Sequence, residues 1–377
     1  MRLVSRNWHQ TRGFTVVELM IATVIAAILM LGVIQIFSAN KRSHVIGTGL
    51  ARVQENLRFA MKDIAYAGRM AGYVGCSGKI KNHLDTTDPG YSDDLFNFDH
   101  ATGGWEFTNG AGTSVTEPGQ SYTLPSSINP DGTASHWDNY NDDDLPASLT
   151  SKVLPGTDVV VLKWAGNNTG ININNMNINN AAINTIGSSG IAQGAILVVS
   201  DCSGGDAFQN AANASGATVS RGTVAGWSPG NANPGTAKWS HLYPGGADFL
   251  YFISRAFYIG EGASGEPALY RITYAQGATG QVVEELAEGI ENMQVLYGID
   301  TNSDKYADQF VTARDVTSHA DVVALKFAFL ARTPDEIKET ASSNTYNLLG
   351  TTITSPSDRR LRYVFTSTLK LRNKGVK

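Results

Sequence analysis

The sequence predicts an α+β protein in which one long N-terminal helix packs, by its second half, on a large antiparallel β-rich head. Three observations carry that reading. An uncharged run extends from Leu19 to Asn40, a one-sided helical stripe follows it, and the rest of the chain alternates turn formers with short β-branched and aromatic runs. Only 17% of the 377 residues are charged and 39 are glycine, which favours turns and strands over helix beyond the N-terminal segment. The net charge of −5 argues against a nucleic-acid partner, because phosphate binding calls for a basic patch.

The chain opens with "MRLVSRNWHQTRG" (1–13), short and polar, with Arg2, Arg6 and Arg12 and no acid. The uncharged run after it spans about 22 residues, or roughly 33 Å of helix, enough to cross a bilayer core. A cleaved secretory signal has a shorter apolar stretch and a small-residue cleavage site behind it, whereas here the break precedes the run. Lys41, Arg42 and Arg52 balance the leader arginines, so charge alone leaves the orientation open. Beyond Asn40, Ile46, Leu50, Val53, Leu57, Met61 and Ile64 recur at steps of three and four, with charges on other faces. That pattern predicts an amphipathic second half over 41–75 that buries one stripe and ends among Gly68, Gly72 and Gly75. At the start of the apolar stretch Glu18 is out of place, because an ionised carboxylate beside hydrocarbon is costly unless a partner waits for it.

From Gly78 to about Thr150 the chain is rich in Asp, Asn, Gly, Ser and Pro, which predicts long surface loops with short strands. Phe96, Phe98, Trp105, Trp137 and Tyr140 make it too aromatic for a linker, since they need a place to pack. Strands are predicted over 158–164, 195–201, 248–259, 268–275, 292–299, 320–331 and 361–371. "GQVVEELAEGIEN" (280–292) reads as a short helix. The Asn-rich stretch 170–190 fits either a flexible loop or a β-arc with Asn ladders. Two cysteines, Cys76 and Cys202, allow one intramolecular pairing. They form a disulfide if the head lies outside the cytoplasm, and are two buried thiols otherwise.

One constellation in the head could carry chemistry. "DTNSDKYAD" places Asp300, Asn302, Asp304 and Asp308 at alternating positions of one loop, with Tyr306 placed to offer a carbonyl, and calcium takes six to eight such oxygen ligands. Lys305 stands where an EF-hand loop has its turn glycine and Val311 where it has a bidentate Glu, so the expectation is a shorter calcium loop or an Asp/Asn turn closing a hairpin. No cofactor is required by this reading, and Ca2+ is the one candidate. "GEGASG" (260–265) is followed by Pro267 and a strand instead of a helix, which makes it a hairpin turn and not a nucleotide loop. "GCSGK" (75–79) lacks phosphate-loop spacing. No H-E-x-x-H and no Gly-x-Ser-x-Gly occurs, so nothing in the motifs invites a zinc site or a serine nucleophile.

"G-FTVVELMIA" (13–22) resembles the processing motif of type IV prepilins and pseudopilins: a basic leader ending in Gly13, the aromatic Phe14, Glu18 at the fifth mature position, then an unbroken apolar helix. "ARVQENLRFAMKDIAYAGRMAGYVGC", "YGIDTNSDKYADQFV" and "RRLRYVFTSTLKLRN" further resemble the PilW-type minor pilins, while residues 80–245 carry no such resemblance. The resemblance implies a type IV pilin fold and cleavage by a prepilin peptidase between Gly13 and Phe14, with methylation of the new N terminus. It implies that Glu18 pairs with the N-terminal amine of a neighbouring subunit, so that a charge expensive in one chain is compensated in the assembly.

The implied divisions are a leader (1–13), a transmembrane and filament-core helix (14–40), its amphipathic continuation (41–75) and a periplasmic, later extracellular, head (76–377). The implied function is that of a non-enzymatic minor pilin at or near a pilus tip, priming assembly and supporting adhesin display. Its partners would be other minor pilins, the major pilin and a large tip adhesin, with the inner membrane as its site before assembly. Two alternatives compete: a minor pseudopilin of a type II secretion system, and a membrane-anchored surface binding protein that uses the helix only as an anchor.

Overall fold

A computed structural model describes residues 13–76, 79–109, 116–223, 225–233 and 236–373, so of the leader only Gly13 lies among the described residues. One helix, α1 (Val16–Met70), runs through the N-terminal segment. The chain divides into two compact units, Met1–Ala51 and Arg52–Lys377. In the first, the apolar side chains from Val16 to Phe37 are exposed, and the helix is long and apolar enough to cross a membrane by length and composition.

The second unit, the head, begins with β1 (Ile80–Asn82), the short helix α2 (Asp93–Phe96), β2 (Thr102–Phe107), β3 (Ser121–Thr123) and β4 (Trp137–Asp138). Next come β5 (Val159–Asn168), β6 (Ile173–Met176), β7 (Ala182–Thr185), β8 (Ile196–Asp201), β9 (Gly204–Gln209) and β10 (Thr218–Ser220). Then follow β11 (Asp248–Glu261), β12 (Pro267–Gln276), β13 (Gly280–Glu288), β14 (Ile290–Ile299) and β15 (Gln309–Val311). The last are β16 (Val322–Arg332), β17 (Thr345–Leu348), β18 (Thr351–Thr354) and β19 (Arg362–Lys370).

A nine-stranded sheet has the order β1-β9-β8-β11-β5-β2-β4, with β12 and β13 branching from β11. The branch arises because β11 is 14 residues long: its first residues pair with β8 and its last with β12, while β5 runs along the other edge. A four-stranded sheet has the order β15-β14-β16-β19, and two three-stranded sheets are β10-β7-β6 and β17-β18-β3. Pairing is antiparallel except for β1 with β9 and β18 with β3. All seven predicted strands are present, as β5, β8, β11, β12, β14, β16 and β19.

Within the head, α1 buries Val53, Leu57, Ala60, Ile64 and Ala67 against Val160, Leu162 and Trp164 of β5, Phe257 of β11, and Leu325, Phe327 and Phe329 of β16. Burying Leu57 or Ile64 fully is worth roughly 1.5–3 kcal/mol each, so this stripe is what holds the helix to the sheets. Gly68 lies inside the helix, where a Cβ would come within 2.0 Å of Leu369, and Gly72 takes the left-handed φ of 81° that ends it. Its N–H then donates to the Lys163 carbonyl at 2.8 Å, tying the exit from the helix to β5.

One reading of the sequence changes and two others take definite form. The segment 280–292 is strand, not helix: β13 pairs with β12, placing Glu284 against Arg271, and its two adjacent valines suit an extended chain better than a helical one. "TGGWEF", inside the segment read as surface loops with short strands, is the fully buried strand β2. Its glycines are there for close approach, since a Cβ on Gly103 would meet the Asp94 carboxylate at 2.4 Å and one on Gly104 the Val159 carbonyl at 2.4 Å. The Asn-rich stretch holds β6 and β7, with Ile173 and Ile183 inward and Asn184 donating across the pair to Asn175. Cys76 and Cys202 form a disulfide that joins the segment after α1 to the β8–β9 turn.

A buried ion network ties the four-stranded sheet to its surroundings. Glu291 on β14 accepts from Arg332 on β16 at 2.8 Å and from Arg362 on β19 at 2.6 and 2.9 Å. Glu266 holds the other side of Arg332, and Asp358 that of Arg362. Those carboxylates hold the Arg362 guanidinium above its ordinary pKa even though burial alone would lower it.

Candidate functional site

The residues at the start of α1 build a reciprocal helix cap. Thr15 stands just before the first helical residue and Glu18 three positions on, the spacing of a capping box. The Thr15 N–H and Oγ1 each donate to Glu18 Oε2 at 3.1 Å, and the Glu18 N–H donates to Thr15 Oγ1 at 3.2 Å. The single chain therefore already gives the carboxylate two donors at the positive end of the helix dipole. Sequence reasoning missed this cap, although the Thr-x-x-Glu spacing is its local signal. Phe14, directly before it, is 85% exposed and follows Gly13.

The candidate calcium loop is brought together between β14 and β15. Asp300 is buried, its Oδ1 accepting the Asp304 N–H at 3.2 Å and its Oδ2 the Lys305 N–H at 2.8 Å. Asn302 and Asp304 cap the amides two positions ahead of them, at 2.9 and 2.8 Å. Asp308 closes the loop on the N–H and hydroxyl of Thr301, and these bonds keep its carboxyl below its ordinary pKa. Ser303 and Lys305 take left-handed φ values of 67° and 72°, so the lysine occupies a conformation that suits glycine. The Tyr306 ring lies 4.1 Å from the Lys370 ammonium, fastening the loop to β19. The oxygens are the hard donors calcium prefers, but several already accept the loop's own N–H groups, and among the described residues no three His, Cys, Asp or Glu side chains converge as a metal-holding group.

Sequence reasoning missed two polar clusters, both assembled from distant segments. A cleft of about 930 Å3 is lined by Lys79, Lys81, His100, Ser203, Ser240 and His241 among others. Ser240 Oγ lies 3.0 Å from His241 Nδ1, and His241 Nε2 lies 3.0 Å from Asp201, an outline resembling a nucleophilic triad. Donor accounting excludes it. The one Ser240 hydroxyl proton goes to Asp206 at 2.6 Å, and Tyr243 donates to the same carboxylate. Burial pushes the Asp206 carboxyl up, but bonds from His83, Ser240 and Tyr243 outweigh that and keep it below its ordinary pKa, hence ionised. With its proton bonded to Asp206, the Ser240 hydroxyl is not poised on His241 as a nucleophile, and the group clasps the 238–243 segment to β9.

Behind this cleft, Asp94, Lys163, Asn139 and His319 meet in the interior. Asn139 donates to Asp94 at 2.6 Å, Lys163 to the Asp93 carbonyl at 3.0 Å, and His319 Nδ1 lies 3.0 Å from Thr102 Oγ1. Burial pushes the Asp94 carboxyl up to about 6 and the Lys163 amine down to about 8. Asp94, Lys163 and His319 are each at most 2% exposed, so a substrate has no access to them and the cluster reads as interior scaffolding.

Comparison with known proteins agrees with the two ends of the chain. Residues 256–373 match the family described as Type IV Pilus-assembly protein W, and residues 8–34 match the prokaryotic N-terminal methylation motif. Among solved structures, a type IV-like pilin from Thermus thermophilus aligns at 19% identity over 33% of this chain and 69% of that one, with a TM-score of 0.23, too low to bear on the fold. No curated protein matches.

Proposed function

We propose that this chain, a pilin-like protein with a PilW-type region and a prepilin-type N terminus, is a structural minor pilin at or near the tip of a type IV pilus. The observation that carries the reading is the pairing of the processing motif with α1, whose residues 16–37 present an apolar surface that the chain itself leaves exposed. Such a surface needs lipid before assembly and other helices after it. The head, Arg52–Lys377, is bulky for a close-packed shaft, which favours the tip, where it would prime assembly and support an adhesin. The PilW match favours the pilus over a type II secretion system.

The test is the N-terminal residue of the membrane-associated protein, by intact mass and peptide mapping, in cells with and without their prepilin peptidase. A peptidase-dependent start at methylated Phe14 is expected. An intact Met1 in both would reduce the helix to an anchor and favour the surface-binding alternative.

Calcium at the 300–308 loop is a separate proposal, supported by the donor chemistry and by the remaining lone pairs of carboxylates that each offer about four. Calcium at about 100 times its dissociation constant would add roughly 2.7 kcal/mol. The wild-type head is then expected to melt higher in calcium than in chelator, and Asp304→Ala to lose that difference; superimposable wild-type curves would remove the metal.

A further inference from the structure

Among the described residues, two sheet edges without a further strand partner flank α1 in the head, and they complement each other. β19 ends the four-stranded sheet, and its register against β16 runs unbroken from Arg362 to Lys370, without a bulge or a proline. Such an edge offers a row of free N–H and C=O groups, which natural proteins normally interrupt. Beside it lies a slot of about 340 Å3 between strand and helix, lined by Leu57, Met61 and Phe365 together with the Gln54 amide, the Arg58 cation and the Tyr363 phenol.

The other edge is β13, which among the described residues pairs only with β12. Val282 and Val283 are 55% and 42% exposed on it, and the strand carries Glu284, Glu285 and Glu288 and no Lys or Arg of its own, with Glu284 bonded to Arg271 of β12. Its register is regular over Val282–Glu285, between two irregularities. This edge lies on the opposite flank of the helix from the slot. Asn56 donates to the Glu288 carbonyl at 2.9 Å and Asp63 accepts from Arg271 of β12, whereas positions 54, 58 and 61 face the slot, about half a turn away at 100° per residue.

We infer that the β13 edge of one copy adds to the β19 edge of a second copy, with Val282 entering the slot and the acidic strand facing Arg58. The backbone edge selects an extended strand, the slot an apolar side chain and the cation an acidic neighbour; β13 supplies all three. Val282 lies on the same face of β13 as Glu284, which meets Arg271 on the helix side, and Tyr363 and Phe365 lie on the helix side of β19. Addition therefore continues the helix-side face from one copy to the next. Because the two edges differ, the contact is heterologous: it joins neighbouring copies through different surfaces and leaves one edge of each end copy open to a further partner. Membrane anchoring raises the effective concentration enough for a four-residue pairing to matter. The inference rests on the assembly reading above.

The test co-expresses two differently tagged full-length copies, one carrying Val283→Cys and the other Thr366→Cys or Thr368→Cys, and treats membranes and sheared fibres with a short bismaleimide. The native cysteines are paired and leave no free thiol. The mixed pair is expected to give a dimer bearing both tags, several-fold above either variant alone, and Val282→Arg in the first copy should lower it several-fold. A dimer from the β19 variant alone, or a crosslink only to another protein, would overturn the contact. Wild-type recovery in fibres is scored in parallel: fibre incorporation without any crosslink defeats this contact alone, and absence from fibres defeats the assembly reading with it.

Discussion

Glu291→Ala is expected to destabilise the head by about 3–5 kcal/mol, toward the lower figure, because removing one partner of a buried ion pair leaves uncompensated charge behind. Glu291 is 5% exposed and is the carboxylate shared by Arg332 and Arg362. Each arginine keeps a second acid, Glu266 or Asp358, which is why the loss should not reach its upper limit. The network joins β14, β16 and β19, so the change should weaken the sheet that covers α1. The measurement is denaturant unfolding of wild type and variant, read as a shift of the midpoint at unchanged slope. Glu291→Gln should lose less, since it retains the shape and an acceptor. A shift below about 1 kcal/mol in the alanine variant would show that the remaining acids take over the whole role.

Glu18→Ala is expected to leave cleavage at Gly13 intact and to cut recovery in sheared pili severalfold. Two physical causes are available, and they separate cleanly. In the single chain Glu18 caps its own helix with Thr15, a role that glutamine fills nearly as well. Pairing with the amine of a neighbouring subunit instead requires the charge. Glu18→Gln should therefore behave like alanine if intersubunit pairing dominates and like wild type if the cap dominates. Normal incorporation of both variants would remove Glu18 from assembly altogether. The readout is copy number in sheared fibres normalised to membrane-bound, processed protein.

The N-terminal segment was legible because its signals are local. A charge-free run and a stripe at steps of three and four each lie within a few turns of one helix, where neighbours in sequence are neighbours in space. The predicted strands were legible for the same reason, since β-branched runs such as 320–331 carry their own preference. The reading failed where packing overrode local preference. Gly103 and Gly104 look like a turn, but β2 uses them to let Asp94 and the Val159 carbonyl approach. "GQVVEELAE" looks helical by its acids and leucine, but β12 lies alongside and pairs with it.

By itself the sequence determined the anchor helix, its processing motif, the apolar stripe that meets the head and most of the strands that receive it. Only the tertiary structure decided that Cys76 meets Cys202, that Glu291 lies between two arginines, that Ser240 gives its proton to Asp206, and that β13 and β19 stand, among the described residues, as sheet edges on opposite flanks of α1. The division follows from range. Propensity and periodicity act over a few residues, whereas disulfides, buried charge networks and sheet edges are set by which distant strands pair, and that depends on the packing of the whole head.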